Sequence, residues 1–532
     1  MHKTAVGYAI GKLIQVMGAA LLVPLGIAIY DNRHLKLFEL LSKADIFGFI
    51  LAIGFSFVAG STLVFLCRSG RDLQGVREGY AIVTIGWLTL AFLASVPLFF
   101  YFVAERGGGF PELVLSFTDA YFEVMSGFTT TGASILSNVE SMPRSLLFLR
   151  ALTHWLGGMG IITLAIAIFP AMGVSGYQMF RGEVPGPTKD RLRPRLAQTA
   201  SVLWGVYLLL SVAETLLLLL GGMSLFDAAC HTFATMATGG FSTKNASIGA
   251  YNSDFIQWVI IIFMFFAGTN FLLHFRVLRG DFKSLARNKE FAFYASVIVA
   301  AVIIFTCVLY IHGPAPEESA SAHFRTSEMT AGEFHTHYVE QSSKLGTLYD
   351  TFRVASFQTV SIITTTGFVT ADFDLWPDFL RFLLILLMFF GGCAGSTGGG
   401  MKMIRIKIVI RVALNELRKL TQPRLVAPVK IGDQTIDEPH IINVVSFFVL
   451  FVGLFVITAG LMTLFVPDLT TAIACSAATI GNIGPGLAGI GAVENYGWIP
   501  IPGKWILIFS MLLGRLEIFT VLIVLRPAVW RK

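Results

Sequence analysis

Hydrophobic and polar positions in this chain alternate in long blocks. Apolar runs such as 81–103, 200–220, 255–273 and 441–466 are each long enough to cross about 30 Å of hydrocarbon as a helix. The pattern predicts ten spans, near 6–30, 46–67, 77–104, 144–171, 198–220, 254–276, 289–312, 376–410, 438–466 and 502–526. The first span is read as a retained helix. It carries internal Gly and Pro and lacks a persuasive small-residue cleavage site before Asp31.

A second, shorter pattern recurs between the long runs. Four times an amphipathic stretch opened by an aspartate leads into a glycine-bearing turn: Thr130-Thr131-Gly132, Thr238-Gly239-Gly240, Thr365-Thr366-Gly367 and Asn482-Ile483-Gly484. The turn glycines stand 108, 127 and 117 residues apart. Ser116-x-x-Asp119, Ser224-x-x-Asp227 and Thr347-x-x-Asp350 match the capping box, in which hydroxyl and carboxylate satisfy the free amides of a first helical turn. Pro467-Asp468 offers an Asp N-cap in the fourth copy.

From these aspartates to the glycines is 13, 13, 17 and 16 residues, room for a short helix and a few extended residues. The expected architecture is therefore an all-α polytopic membrane protein. A two-helix hairpin at 1–75 precedes four pseudo-fourfold units at 76–194, 195–286, 287–436 and 437–532, each an outer helix, short helix, turn and inner helix. Irregular backbone at membrane depth survives only where protein buries it or water reaches it. Four such segments around one axis point to an ion pathway, and the C-terminal ends of the short helices favour a cation at their focus.

Composition agrees: 55% of the 532 residues are hydrophobic and 14% charged, which excludes an ordinary soluble domain. An even number of spans puts both termini on one side. Segments 68–77, 181–195, 276–289, 402–430 and 526–532, with Lys3 and Lys12, hold 26 of the 39 Lys and Arg residues, all on that side. That side is expected to be cytoplasmic, with the turns toward the outside. Net charge of +6 thus follows from topology, and no nucleic-acid partner is implied. The five scattered cysteines show no metal-ligand spacing or disulfide framework.

With the turns, the added hairpin and the stretch Arg181-Gly182-Glu183-Val184-Pro185-Gly186-Pro187 leading to Lys189-Asp190-Arg191-Leu192, the chain resembles potassium transporters of the Trk/Ktr/HKT superfamily. The similarity is to the membrane subunit of bacterial Trk systems. It implies that Gly132, Gly240, Gly367 and Gly484 are aligned filter glycines, degenerate relatives of a potassium-channel filter. It also implies potassium as the transported ion, a homodimer in the bacterial cytoplasmic (inner) membrane and a cytosolic nucleotide-binding regulatory ring. Glycine lets carbonyls turn to an axis without steric penalty, and carbonyl rings replace the hydration shell of potassium. The threonines at 129–131 and 364–366 are expected to add hydroxyl oxygens below the carbonyls. Gly484-Pro485 departs most from the channel pattern, so looser selectivity is expected. A serine at the first filter glycine accompanies sodium transport in plant relatives, so Gly132→Ser is expected to raise sodium permeation.

Gly391, Gly392, Gly395, Gly398, Gly399 and Gly400 put six glycines into ten residues of the third inner span. Each costs a helix about 1 kcal/mol relative to alanine, so this run is expected to leave the helix. A close helix crossing would use helical spacing, whereas this cluster is nearly continuous. It is read as an intramembrane gating loop below the turns, as in the resembled family.

Arg515, buried in an apolar run, is the other gate candidate. The resemblance implies a guanidinium beside the loop that raises a barrier to cations. A structural cap on carbonyls of the broken third helix is compatible with that. Lys402, Arg405, Lys407 and Arg411 suit headgroup anchoring or a cytosolic partner that moves the loop.

Other signals carry less. Gly484-x-Gly486-x-x-Gly489 lacks the strand and acidic residue of a dinucleotide site, and Gly395–Gly400 with Lys402 is not a phosphate loop. Hence neither an organic cofactor nor ATP hydrolysis is expected. Glu333, His335 and His337 fall in a polar insertion at 313–345 read as a solvated loop. Sodium-permeable or sodium/proton-coupled transport on the same fold is the alternative function. A membrane enzyme acting on lipids would need convergent acid–base groups, whereas His154 and Glu123 look isolated.

Overall fold

The computed structural model describes residues 1–71, 75–158, 192–313, 347–422, 428–431 and 434–530. The motif at 181–191, the end of the first inner span at 159–171 and the insertion at 314–345 lie outside the described residues.

Lys3–Ala20 continues into Leu22–Asp31, and Ala44–Leu66 returns beside it as the second arm of the hairpin. A Cβ on Gly11 would come within 2.9 Å of Gly60 O, and one on Gly60 within 2.9 Å of Gly11 O, so the two arms cross at backbone contact. Asp45 accepts from Ser145 Oγ at 2.8 Å, which seats the hairpin on the first inner helix.

The outer helices are Val76–Arg106, Leu192–Leu220, Lys289–His312 and Glu438–Met462. The short helices are Phe110–Phe128, Leu225–Met236, Leu348–Ile363 and Leu469–Ile480. Three start as their caps predict: Ser224 accepts from Asp227 N at 3.1 Å, Thr347 from Asp350 N at 3.1 Å and Asp468 from Thr471 N at 2.7 Å. The first does not. Pro111 in the first turn lets that helix begin at Phe110, so Ser116 and Asp119 lie inside it. Asp119 instead binds Lys504 at 2.6 Å and Arg106 at 2.8 Å.

The second and fourth inner spans are not the continuous helices expected, while the third leaves the helix at its glycine cluster as expected. Among the described residues six helices are long and apolar enough to cross a membrane, or eight if two bent pairs are each counted as one span. The second inner span is Asp254–Ala267 and Phe271–Leu278, bent by 104°, and the fourth is Ile501–Arg515 and Phe519–Leu525, bent by 117°. Asn270 restarts the second by accepting from Leu272 N at 2.8 Å. In the fourth, Glu517 (φ 54°) and Ile518 (φ 32°) turn left-handed. The third consists of Asp378–Leu387 and Met403–Thr421, with the glycine cluster between them, outside any helix. The first is described as Arg144–Gly158.

A two-residue antiparallel ladder, Lys430–Ile431 with Gln434–Thr435, precedes the fourth unit.

Candidate functional site

All four short helices end in the same backbone figure. Two residues past the end of each helix, Thr130, Thr238, Thr365 and Asn482 adopt φ of 49°, 55°, 59° and 53°, and two residues later each glycine is left-handed again. The residue between them bonds back into its helix: Thr131 N to Ser126 O (2.9 Å), Gly239 N to Ala234 O (2.8 Å), Thr366 N to Ser361 O (2.8 Å) and Ile483 N to Ala478 O (2.9 Å). Each turn thus alternates residues of positive and negative φ, and a ring of backbone carbonyls is what anhydrous cation binding needs.

The figures close into a ring. A Cβ on Gly132 would strike Gly239 O, on Gly240 Thr366 O, on Gly367 Ile483 O, and on Gly484 Thr131 O. Each turn leans its glycine on the next, and the fourth returns to the first. Any side chain at these positions must therefore displace the neighbouring turn as well as strain its own backbone. Every polar side chain at the three positions ahead of the glycines is fully buried.

Several threonine hydroxyls are committed elsewhere. Thr129 Oγ1 caps Met125 O at 2.7 Å and meets Thr131 Oγ1 at 2.8 Å; Thr364 repeats this with Val360 O and Thr366 Oγ1. Thr130 Oγ1 and Asn482 Oδ1 are buried without a hydrogen-bond partner. Asn482 Nδ2 ties Thr131 Oγ1 (3.0 Å) to Met511 O (2.9 Å).

Behind the ring stand groups that sequence reasoning missed. Glu123 and His154 are not isolated. Glu123 pairs with Arg150 Nε at 2.7 Å and accepts from Ser134 Oγ and Ile135 N, both at 2.9 Å. Arg150 also donates to Ser242 O at 3.2 Å and lies 4.1 Å over the Phe241 ring, so one ion pair braces the segments beyond two turns. His154, one helical turn on, bonds Gly127 O through Nδ1 (2.7 Å) and accepts from Phe241 N at Nε2 (3.1 Å). The available signal was two polar residues four apart in an apolar helix.

The glycine cluster lies against the ring. Gly399 N donates to Thr365 Oγ1 at 2.7 Å, and a Cβ on Gly399 would meet Gly481 O at 2.7 Å. Thr397 Oγ1 donates to Met236 O at 2.9 Å, and Cys393 N to Gly268 O at 2.8 Å. Gly391 N bonds Met401 O at 2.8 Å, closing the mouth of the loop; Gly395 and Gly400 are left-handed. Gly392 N and Thr364 O lie close to Gly398.

Arg515 reaches this loop. It donates to Thr397 O (2.7 Å), Gly157 O (2.7 Å) and Gly158 O (2.9 Å), joining the third and first inner spans. Glu517 is not its partner and pairs with Arg405 at 2.8 Å. Lys402 Nζ donates to Gly398 O at 2.6 Å and Lys407 Nζ to Lys289 O at 2.7 Å, so these cations have partners inside the protein.

The fold and ring define a polytopic helical membrane protein with four re-entrant turns about one axis. A family of cation transport proteins, TrkH, matches residues 46–532. The chain is 38% identical over 535 residues, all of both chains, to the Trk system potassium uptake protein TrkH of Escherichia coli strain K12. It is 39% identical over 467 residues to that of Vibrio parahaemolyticus, covering 87% of this chain and 88% of the relative. The crystal structure of the potassium transporter TrkH from Vibrio parahaemolyticus superposes with a TM-score of 0.80 at 33% identity, covering both chains fully. The chain belongs to the TrkH family.

Proposed function

We propose that this chain carries out potassium uptake across a bacterial cytoplasmic membrane, as the pore-forming subunit of a Trk-type system. Thr130–Gly132, Thr238–Gly240, Thr365–Gly367 and Asn482–Gly484 form the filter, open to the outside. The observation that carries this reading is the cyclic contact of four left-handed glycines with the carbonyls of the next turn. Short-helix C-termini add partial negative charge at the same focus.

Below the filter, Gly391–Gly400 is the gate. Arg515 fixes it to the first inner helix and places a guanidinium on the pathway. The protein works as a homodimer on a cytosolic nucleotide-binding ring that moves the loop through the basic helix Met403–Thr421.

The test is rubidium uptake into liposomes holding the purified protein, with and without a cognate Trk cytosolic subunit and ATP. Competition by potassium and hardly by sodium is expected. Equal competition by sodium would move the function to a sodium-permeable transporter of the same fold. No uptake under either condition would overturn the reading.

A further inference from the structure

The glycine loop is tied at its base by a carboxylate from another helix. Glu290 Oε1 accepts from Ala394 N at 2.7 Å and from Ile404 N at 3.2 Å. These amides are ten residues apart, one within the loop and one in the helix that follows it. Ile404 lies in the first turn of the helix Met403–Thr421, where amides have no intrahelical acceptor. Ala394 lies in the loop itself, outside any helix, beside left-handed Gly395.

Glu290 is well placed for this. It occupies the first turn of the outer helix Lys289–His312, which Asn288 caps by accepting from Glu290 N (3.0 Å) and Phe291 N (2.8 Å). Negative charge is favoured at that end of a helix, and the cap fixes where the side chain leaves the backbone. A single oxygen thus ties residue 394 to residue 404, beside the backbone bonds that already close the neck, with left-handed Gly395 and Gly400 between the two tied amides.

The other fastenings come from other directions. Thr365 holds the top of the loop and Arg515 its side, the backbone bonds Gly391 N–Met401 O and Met403 N–Gly392 O close its neck, and Glu290 adds a side chain from a third element that bonds both the loop and the helix after it. Resting on the gate reading above, we propose that Glu290 is the positioning residue of the gate, holding the loop shut by tying Ala394 to Ile404. Movement of the basic helix that pulls Ile404 off this carboxylate would undo the tie between that helix and the loop.

Cys393, next to Ala394, is buried and reports the loop directly. The full-length protein in liposomes is treated with N-ethylmaleimide, and modification at each cysteine is followed by mass spectrometry beside rubidium flux. Glu290→Ala is expected to speed modification of Cys393 by about tenfold or more, since hydrogen bonds to a charged group are the strong ones. Basal flux should rise with it. Glu290→Gln keeps a carbonyl acceptor and should lie between.

Cys230 and Cys475, buried in the second and fourth short helices, are the internal control. If they become reactive together with Cys393, Glu290 merely stabilises the fold and the proposal fails. Unchanged Cys393 reactivity, with flux still raised by Arg515→Ala, would overturn the role of Glu290 while leaving the gate. Faster Cys393 modification with unchanged flux would overturn the loop as gate, and this proposal with it.

Discussion

The first and fourth turns share one backbone and differ in what stands behind it. Nine residues before each turn glycine lie Glu123, His231, Gln358 and Cys475. In the first three units this side chain reaches the segment beyond its own turn. Glu123 accepts from Ile135 N, and His231 Nε2 meets Ser242 Oγ at 2.8 Å. Gln358 accepts from Thr370 N at 2.8 Å with its amide oriented to suit its partners.

Buried Cys475, a free thiol, takes this place in the fourth unit without such a strut. Neighbours supply much of the support there: Tyr496 N donates to Ser134 O of the first unit at 2.8 Å, and Ala488 N to Asp374 of the third at 3.0 Å. Tyr496 also donates its hydroxyl to Gly484 O at 2.6 Å, so one glycine carbonyl of the ring is already hydrogen-bonded. The comparison teaches that the fourfold repeat resides in the backbone. Side-chain support has diverged, and the four turn-glycine carbonyls are not equivalent in their hydrogen bonding.

The largest effect should come from breaking the braced side. Arg150 and Glu123 are almost wholly buried, and removing one leaves the other charged and unpaired. Arg150→Ala should destabilise the protein by about 3–5 kcal/mol and abolish uptake. Arg150→Met with Glu123→Gln should regain much of the stability without the charge. Thermal unfolding of the purified proteins measures both. A single mutant as stable as the parent would remove the ion pair from the account of the ring.

What was legible in the sequence follows the same division. The turns could be found because each needs a glycine, and three short helices because a hydroxyl or carboxylate must cap a free amide end. The glycine loop was visible since no helix tolerates such a run. The first cap was misplaced because Pro111 starts that helix earlier than Ser116.

Glu123–Arg150 and Tyr496–Gly484 were hidden because they join residues of different elements whose approach only the closed ring creates. The break in the second inner span has a readable sign in Gly268-Thr269-Asn270, a stop followed by a cap. Leu516-Glu517-Ile518 carries none, having neither Gly nor Pro where the backbone turns left-handed.

A smaller effect sharpens the inequality of the carbonyls. Tyr496→Phe keeps the ring packed on Phe122 and removes only the hydroxyl held by Gly484 O. On the filter reading proposed above, this frees the carbonyl to face the ion in place of the hydroxyl. Potassium preference over sodium, read from competition of rubidium uptake, should rise, by at most the roughly fivefold that one hydrogen bond of about 1 kcal/mol is worth. Unchanged preference would mean that Gly484 O does not contribute to the filter.

The smallest effect concerns the contact the fourth unit borrows from the third. Asp374, outside the spanning helices, is pushed up to about 7 from the ordinary 3.8 by burial and by Asp372 beside it. Glu494 adds a lesser push, while the Ala488 amide and Arg381 oppose the rise. A raised acid is favoured neutral in the fold. Its contribution to stability is therefore complete below pH 3.8 and lost as pH climbs through about 7. On going from pH 5 to pH 8 the parent should lose about 1–2 °C more in melting temperature than Asp374→Asn, which cannot ionise. If the two proteins follow the same pH profile, the carboxyl at the border of the third and fourth units does not ionise in this range. The pH dependence of the fourth turn's support would then lie elsewhere.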